Sequence, residues 1–300
     1  MKTSNVVGKL PFAVGDCNGV VRGGRLLVFG GGEGESFHDE ILAVDPSGAV
    51  AEIGRMPYRS RGHQVVDLDG TIYVLGGFNG EATLDVLWEL DLDAGTARRR
   101  APMPSSNSWF GATAHHGGIA VIGGFTIPDG YLDGAYLYDP AADAWSRADA
   151  VVDATLFPKG RVGANALLSV GDRLMTVGGA DSFDHEAGRS TALPLVAAFD
   201  PGTRDWAHLG DLDEAREGIA VARDGDRIYL VGGMDESSPT PSRRVERLDP
   251  ATGRVEMVGE LQLGRLTPVA GVVEGRLIVA GGVTKPLAEM TDSVEVLDLE

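Results

Sequence analysis

Six short, largely apolar runs, among them Ile72-Tyr-Val-Leu75, Ile228-Tyr-Leu-Val231 and Leu277-Ile-Val-Ala280, each stop at a pair of glycines. The pairs are Gly30-Gly31, Gly76-Gly77, Gly123-Gly124, Gly178-Gly179, Gly232-Gly233 and Gly281-Gly282, spaced 46 to 55 residues apart. Apolar residues at consecutive rather than alternate positions are expected of strands buried on both faces, and the recurrence predicts six copies of one supersecondary unit. A second strand follows each pair and ends in an aspartate: Asp45, Asp91, Asp139, Asp200, Asp249 and Asp298. Four of these precede a proline, a dipeptide that opens a turn by presetting the backbone and supplying a side-chain acceptor.

Composition narrows the picture. The 43 glycines and 15 prolines are spread along all 300 residues, as many short strands joined by turns require. A formal charge of −18 repels a phosphate backbone and an anionic bilayer, so neither nucleic acid nor membrane is expected as a partner. The first fifteen residues lack the charged and apolar regions of a signal peptide, and no apolar stretch is long enough to span a bilayer. A soluble cytoplasmic monomer is expected. Cys17 is the single cysteine and has no partner for an internal disulfide.

The double glycine, the strand ending in Asp-Pro, and the Trp that opens the next strand (Trp145, Trp206) resemble the kelch family over the whole chain. The resemblance implies an all-β, six-bladed kelch propeller forming one domain over residues 1–300, with four antiparallel strands per blade. Blades one, two and five have Val50, Ala97 and Val255 near the Trp position. The sixth repeat stops after its third strand, Val294 to Leu299, while the segment from Ser4 to Phe12 matches the outer strands Ala51–Pro57 and Arg98–Pro104. The N-terminal strand is therefore expected to complete the last blade and remove its open edge.

In such a blade the loops between second and third strands open on the same face as the links into the inner strands, and a site is expected there. The fourth repeat has both of the long intervals: 39 residues from Asp139 to Gly178 against 31 or 32 elsewhere, and 21 from Gly179 to Asp200 against 14 to 16. Together they predict a rim or lid over the channel mouth. Arg61, Arg161, Arg216 and Arg265 lie roughly fifteen residues before a double glycine and are expected to form a ring of guanidiniums, either gripping an anion or pairing with nearby carboxylates. Asp16 and Asn18, and Asn107 and Trp109, interrupt that ring in repeats one and three. Trp109 and Phe110 are candidates for a stacking wall. The insertion from Asp181 to Arg189 holds Asp184 and His185, which suit general acid/base work if they are more than a solvated loop. His115 and His116 are expected in a solvated turn.

Two cofactor chemistries found in this family do not fit. A copper radical site needs a Tyr partner for Cys17, where the next repeat has Ser60 and Arg61, and the iron pattern begun by Glu35 and Asp39 meets Ala43 where a His is needed. No metal or cofactor is expected. The resemblance to stand-alone kelch proteins such as sialic acid mutarotases implies a cofactor-independent isomerase, epimerase, mutarotase or cyclase acting on a polar, anionic small molecule. Arg216, His185 and Asp184 would act in catalysis, with Arg61, Arg161, Arg265, Trp109, Phe110, Asn107, Asp16, Asn18 and Asp181 in binding. The alternative, from the resemblance to BTB-kelch adaptors, is a protein-interaction scaffold whose loop face takes an acidic peptide.

Overall fold

A computed structural model describes residues 2–127, 130–148, 156–159, 161–184, 189–200, 202–235, 238, 240–285 and 289–299, with the side chains of 183, 184 and 189 undescribed. Every regular element among them is a β-strand. Blade one is Asn18–Arg22, Arg25–Glu33, Ser36–Val44 and Val50–Arg55, and the next four blades repeat that antiparallel order through Val255–Glu260. Blade six is Val269–Val273, Arg276–Ala280 and Glu289–Asp298, with Asn5–Val14 as its outer strand. Six apolar cores lie between neighbouring blades; the one between blades six and one joins Val14, Cys17, Val28, Ile278 and Val294. Strands packed on both faces explain the consecutive apolar runs.

The strand ends follow from local chemistry. At five blades the terminal aspartate turns the chain by accepting backbone N–H groups, as Asp45 Oδ1 does from Ser47 at 2.8 Å and Asp200 Oδ1 from Gly202 at 2.8 Å. Both glycines of every pair have positive φ, from 49° at Gly30 to 114° at Gly124. A Cβ on Gly31 would lie 2.7 Å from the carbonyl oxygen of Gly15 and 2.8 Å from Cys17 Cβ, so side chains are excluded by space as well as by φ. The closeness serves a bond: the N–H of the second glycine donates to a carbonyl in the link entering the next blade. All six junctions have it, to Ser60, Asn107, Val162, Arg216, Arg265 and, across the closure, Val14, at 2.8–2.9 Å.

A second, inner ring follows two residues later in each link. Asp16, Gly62, Trp109, Ala164, Gly218 and Thr267 all have φ between 46° and 66°. Each donates its N–H to the carbonyl of its counterpart in the preceding blade at 2.5–2.8 Å, from Gly62 round to Thr267. The sixth junction is made by a side chain: Thr267 Oγ1 accepts from the N–H of Asp16 and donates to its Oδ1. A positive φ is unfavourable for a β-branched residue, and this pair of bonds is what Thr267 gains.

The N-terminus closes the ring as its sequence predicts and does one thing more. Lys2–Thr3 adds a parallel fifth strand to the outer edge of blade five before Asn5–Val14 pairs with blade six. Between them Ser4 is fully buried; its hydroxyl meets Glu295 and accepts the N–H of Gln262 at 2.9 Å, while its carbonyl takes Gln262 Nε2. Deleting residues 1–10 removes all of these contacts and bares an apolar edge. The truncated chain is expected to aggregate or lose its single cooperative unfolding transition, measured by calorimetry and light scattering; a monomer as stable as the parent would contradict the closure.

Candidate functional site

The links into the inner strands bring together only part of the expected arginine ring. Residues at one position of the repeat form matching bridges to the loop beyond the double glycine: Gly15, Arg61, Ser108, Gly163, Glu217 and Leu266. Arg61 belongs to this layer. Arg216 and Arg265 stand one residue earlier, alongside Val14, Ser60, Asn107 and Val162, and Arg161 stands one earlier again. On an extended backbone a step of one residue reverses the side chain, which separates these arginines into different environments.

Arg216 and Arg265 therefore do not face the mouth. Both are fully buried inside their own blades. Arg216 pairs with Glu246 and donates Nη1 to the carbonyl of Gly232 at 2.8 Å. Arg265 pairs with Glu295 at 2.6 Å and donates to the carbonyls of Gly281 and Ser293. Desolvation lowers the Arg265 pKa, against which the Glu295 carboxylate acts. Asn107 has the same post in blade three: buried, it donates Nδ2 to the carbonyl of Gly123 at 2.7 Å. Phe110 is also no ligand wall; at 1% exposure it lies in the core between blades two and three.

The remaining candidates divide. Asp16 is held by Thr267, and Asn18 donates Nδ2 to Gln64 Oε1 at 2.9 Å on the wall of the central channel, a cavity of about 420 Å³. Asp181 is buried and accepts the Ser182 hydroxyl. Arg161 is half-buried, and its Nε has no hydrogen-bond partner among the described residues. His185 and the Asp184 side chain lie outside the described residues, as do residues 149–155, 160 and 186–188 of the expected lid, while Ala180–Asp184 pairs antiparallel with Arg189–Ala192 there. His115 is buried rather than solvated: its Nδ1 is 2.8 Å from Ser169 Oγ, and desolvation, then His116, lower its pKa. Cys17 is buried, with its thiol pushed up to about 12 by desolvation and by Asp16, and so stays protonated.

What gathers at the mouth is Arg61 and a set of rings. Its guanidinium carbon lies 5.4 Å from the centroid of Phe37, and 5.9 Å from those of Phe78 and Trp109. Phe37, Phe78, Trp109, Phe125 and Tyr131 are all half-buried and touch in sequence, with centroids 5.3–6.5 Å apart, as an arc over blades one to three. Trp109 reaches this place from its unfavourable φ of 46°, with Gly62 beneath it; a Cβ on Gly62 would lie 2.8 Å from the indole. Among the described residues Arg61 has no carboxylate within ion-pair distance, and its Nε is buried without a partner. Phe37 and Phe78 were missed by sequence reasoning. Part of the signal was available: Phe78 and Phe125 directly follow the double glycine in repeats two and three.

Residues 17–233 match the family model of the KLHDC2/KLHL20/DRC7 kelch-repeats domain, and residues 215–262 that of the kelch motif. The chain is 28% identical over 200 residues to Kelch-like protein 35 of Mus musculus, covering 67% of this chain and 31% of that protein. It is 32% identical over 178 residues to Kelch-like protein 40 of Xenopus laevis, covering 58% and 28%. The chain thus spans about a third of the length of these curated relatives. Among solved structures, one titled "Structure of YjhT" superposes with a TM-score of 0.75 over 96% of this chain and 95% of that one, at 16% identity.

Two outcomes test the structural assignments. Arg216→Ala leaves Glu246 buried and unpaired, and is expected to lower stability by about 3–5 kcal/mol in denaturant titration; combining it with Glu246→Ala is expected to recover part of that loss, and a single variant within 1 kcal/mol of the parent on this order-of-magnitude scale would contradict burial of the pair. His63, in the layer of Phe110, is buried with its pKa lowered to about 4 from 6.5 by desolvation, which bonds to the backbone of Phe29 and Ser60 partly oppose. The unfolded chain then binds the extra proton below pH 6.5, so this contribution is complete above that pH and is lost as pH falls towards 4. The parent is expected to lose about 2 kcal/mol more than His63→Phe between pH 7 and pH 5, read by chemical denaturation. Parallel pH profiles would contradict it.

Proposed function

The chain belongs to the kelch-repeat family, and from that premise we propose that it is a recognition propeller whose mouth binds the carboxylate of a small molecule or an acidic peptide segment at Arg61. The observation that carries this is a guanidinium faced by three aromatic rings with no carboxylate of its own among the described residues, in a protein of 44 acidic and 26 basic residues. Rings on its flanks stabilise the cation by about 0.5–2 kcal/mol each and keep water from its faces, without using its N–H groups. Those groups remain for a bidentate pair with a carboxylate, a stronger bond than one between neutral groups.

Of the sequence-based expectation, this reading retains the anionic ligand and the upper face. It leaves Arg216 out of the site, because Glu246 consumes its charge; the Asp184 side chain and His185 lie outside the described residues. Soluble, carboxylate-bearing partners are common to both original alternatives.

Arg61→Ala is expected to weaken binding of a benzoate probe at least about tenfold by titration calorimetry, the loss of one charge-assisted pair. Its melting temperature should change far less than that of Arg216→Ala, since Arg61 pairs with no buried carboxylate among the described residues. Benzoate binding unaltered by Arg61→Ala would overturn the proposal.

A further inference from the structure

The mouth has a second charged side. Along the inner ring Gly62 reaches Gly218 in three steps through Trp109 and Ala164, and in three steps the other way through Asp16 and Thr267. The two glycines are therefore opposite one another across the axis, and so are the residues just before them, Arg61 and Glu217. Each makes the same isolated antiparallel bridge, Arg61 to Phe78 and Glu217 to Met234. Equivalent backbone positions send the two side chains out at one height and on the same face of their links. Both residues are half-buried. The other four members of this layer, Gly15, Ser108, Gly163 and Leu266, are uncharged.

The surroundings differ in the same sense. Arg61 lies within the arc of five rings on blades one to three, whereas beyond the bridge partner of Glu217 comes Asp235, also half-buried. One wall of the mouth is cationic and aromatic, and the facing wall is acidic. Resting on the carboxylate reading above, we infer that the ligand is zwitterionic, with a carboxylate and an adjoining apolar group at Arg61 and an ammonium group across the axis at Glu217. A carboxylate offers about four acceptor positions, so Glu217 takes an ammonium while retaining contacts within the chain. Fixing both ends of a ligand also selects its length, since an extended peptide adds at most about 3.3–3.6 Å per residue.

The test uses the full chain and peptides of one to four glycines followed by phenylalanine, each with a free, acetylated or amidated end, in titration calorimetry. At one chain length the free peptide is expected to bind about three- to tenfold more tightly than its N-acetyl form. Glu217→Gln should abolish that difference while leaving the N-acetyl peptide's affinity unchanged, and Arg61→Gln or C-terminal amidation should weaken both. Acetylated and free peptides that bind equally at every length, still dependent on Arg61, would overturn the zwitterion inference and leave the carboxylate site standing. Binding independent of Arg61, or none by any free-carboxylate peptide at about 1 mM, would overturn both.

Discussion

The hydrogen bond from the second glycine of each blade to the link of the next is the constraint on which the rest of the molecule depends. It is made six times, the last from Gly282 to Val14 across the closure. A bond at this point requires two backbones in contact, which is why neither glycine tolerates a Cβ. It also fixes the rotation of every link about its own axis. The residue whose carbonyl accepts the bond sends its side chain into its own blade, and the next residue faces the mouth. The inner ring of six left-handed residues follows from the same geometry.

Comparison of the six blades shows what the inward post demands. The residue at that post and the third-strand residue at the position equivalent to Glu246 are Val14 with Leu42, Ser60 with Trp88, Asn107 with Tyr136, Val162 with Ala197, Arg216 with Glu246, and Arg265 with Glu295. Charge enters this interior only as a matched pair, as expected where an unpaired buried ion costs several kcal/mol. The cation also answers a backbone need. The carbonyl of the first glycine takes a donor from Arg216, Arg265 or Asn107, and in blade two from the Tyr58 hydroxyl. In blade six the pair has a third use, because Glu295 also receives Ser4 and the N–H groups of Gln262 and Leu263. The buried ion pair of the last blade is thereby the socket of the N-terminal closure.

The repeats, the aspartate turns and the closure were legible because each rests on a local rule: apolar runs, a glycine pair with no room for Cβ, an aspartate that caps its own turn. The site was legible only in its residue types. Counting about fifteen residues back from the glycines gathers four arginines, but sixteen separate Arg216 from Gly232 and Arg265 from Gly281, against fifteen from Arg61 to Gly76. That single residue decides between core and mouth, and a count with a tolerance of one cannot resolve it. A second spacing would have helped: a glutamate follows Arg216 and Arg265 by thirty residues (Glu246, Glu295), whereas thirty residues after Arg61 stands Asp91, which ends its strand and caps its own turn, and after Arg161 stands Thr191. The parallel strand at Lys2–Thr3 had no signal, since two exposed residues have no periodicity.

Three arginines of similar sequence position thus have two different tasks, and their guanidinium groups can be observed separately. A nitrogen-detected magnetic resonance titration of the arginine Nε–H signals with benzoate, assigned through Arg→Lys variants, tests this most directly. The Arg61 signal is expected to shift and saturate while those of Arg216 and Arg265 stay in place, shielded by Glu246 and Glu295. Movement of the Arg216 or Arg265 signals with Arg61 unchanged would contradict that division of tasks.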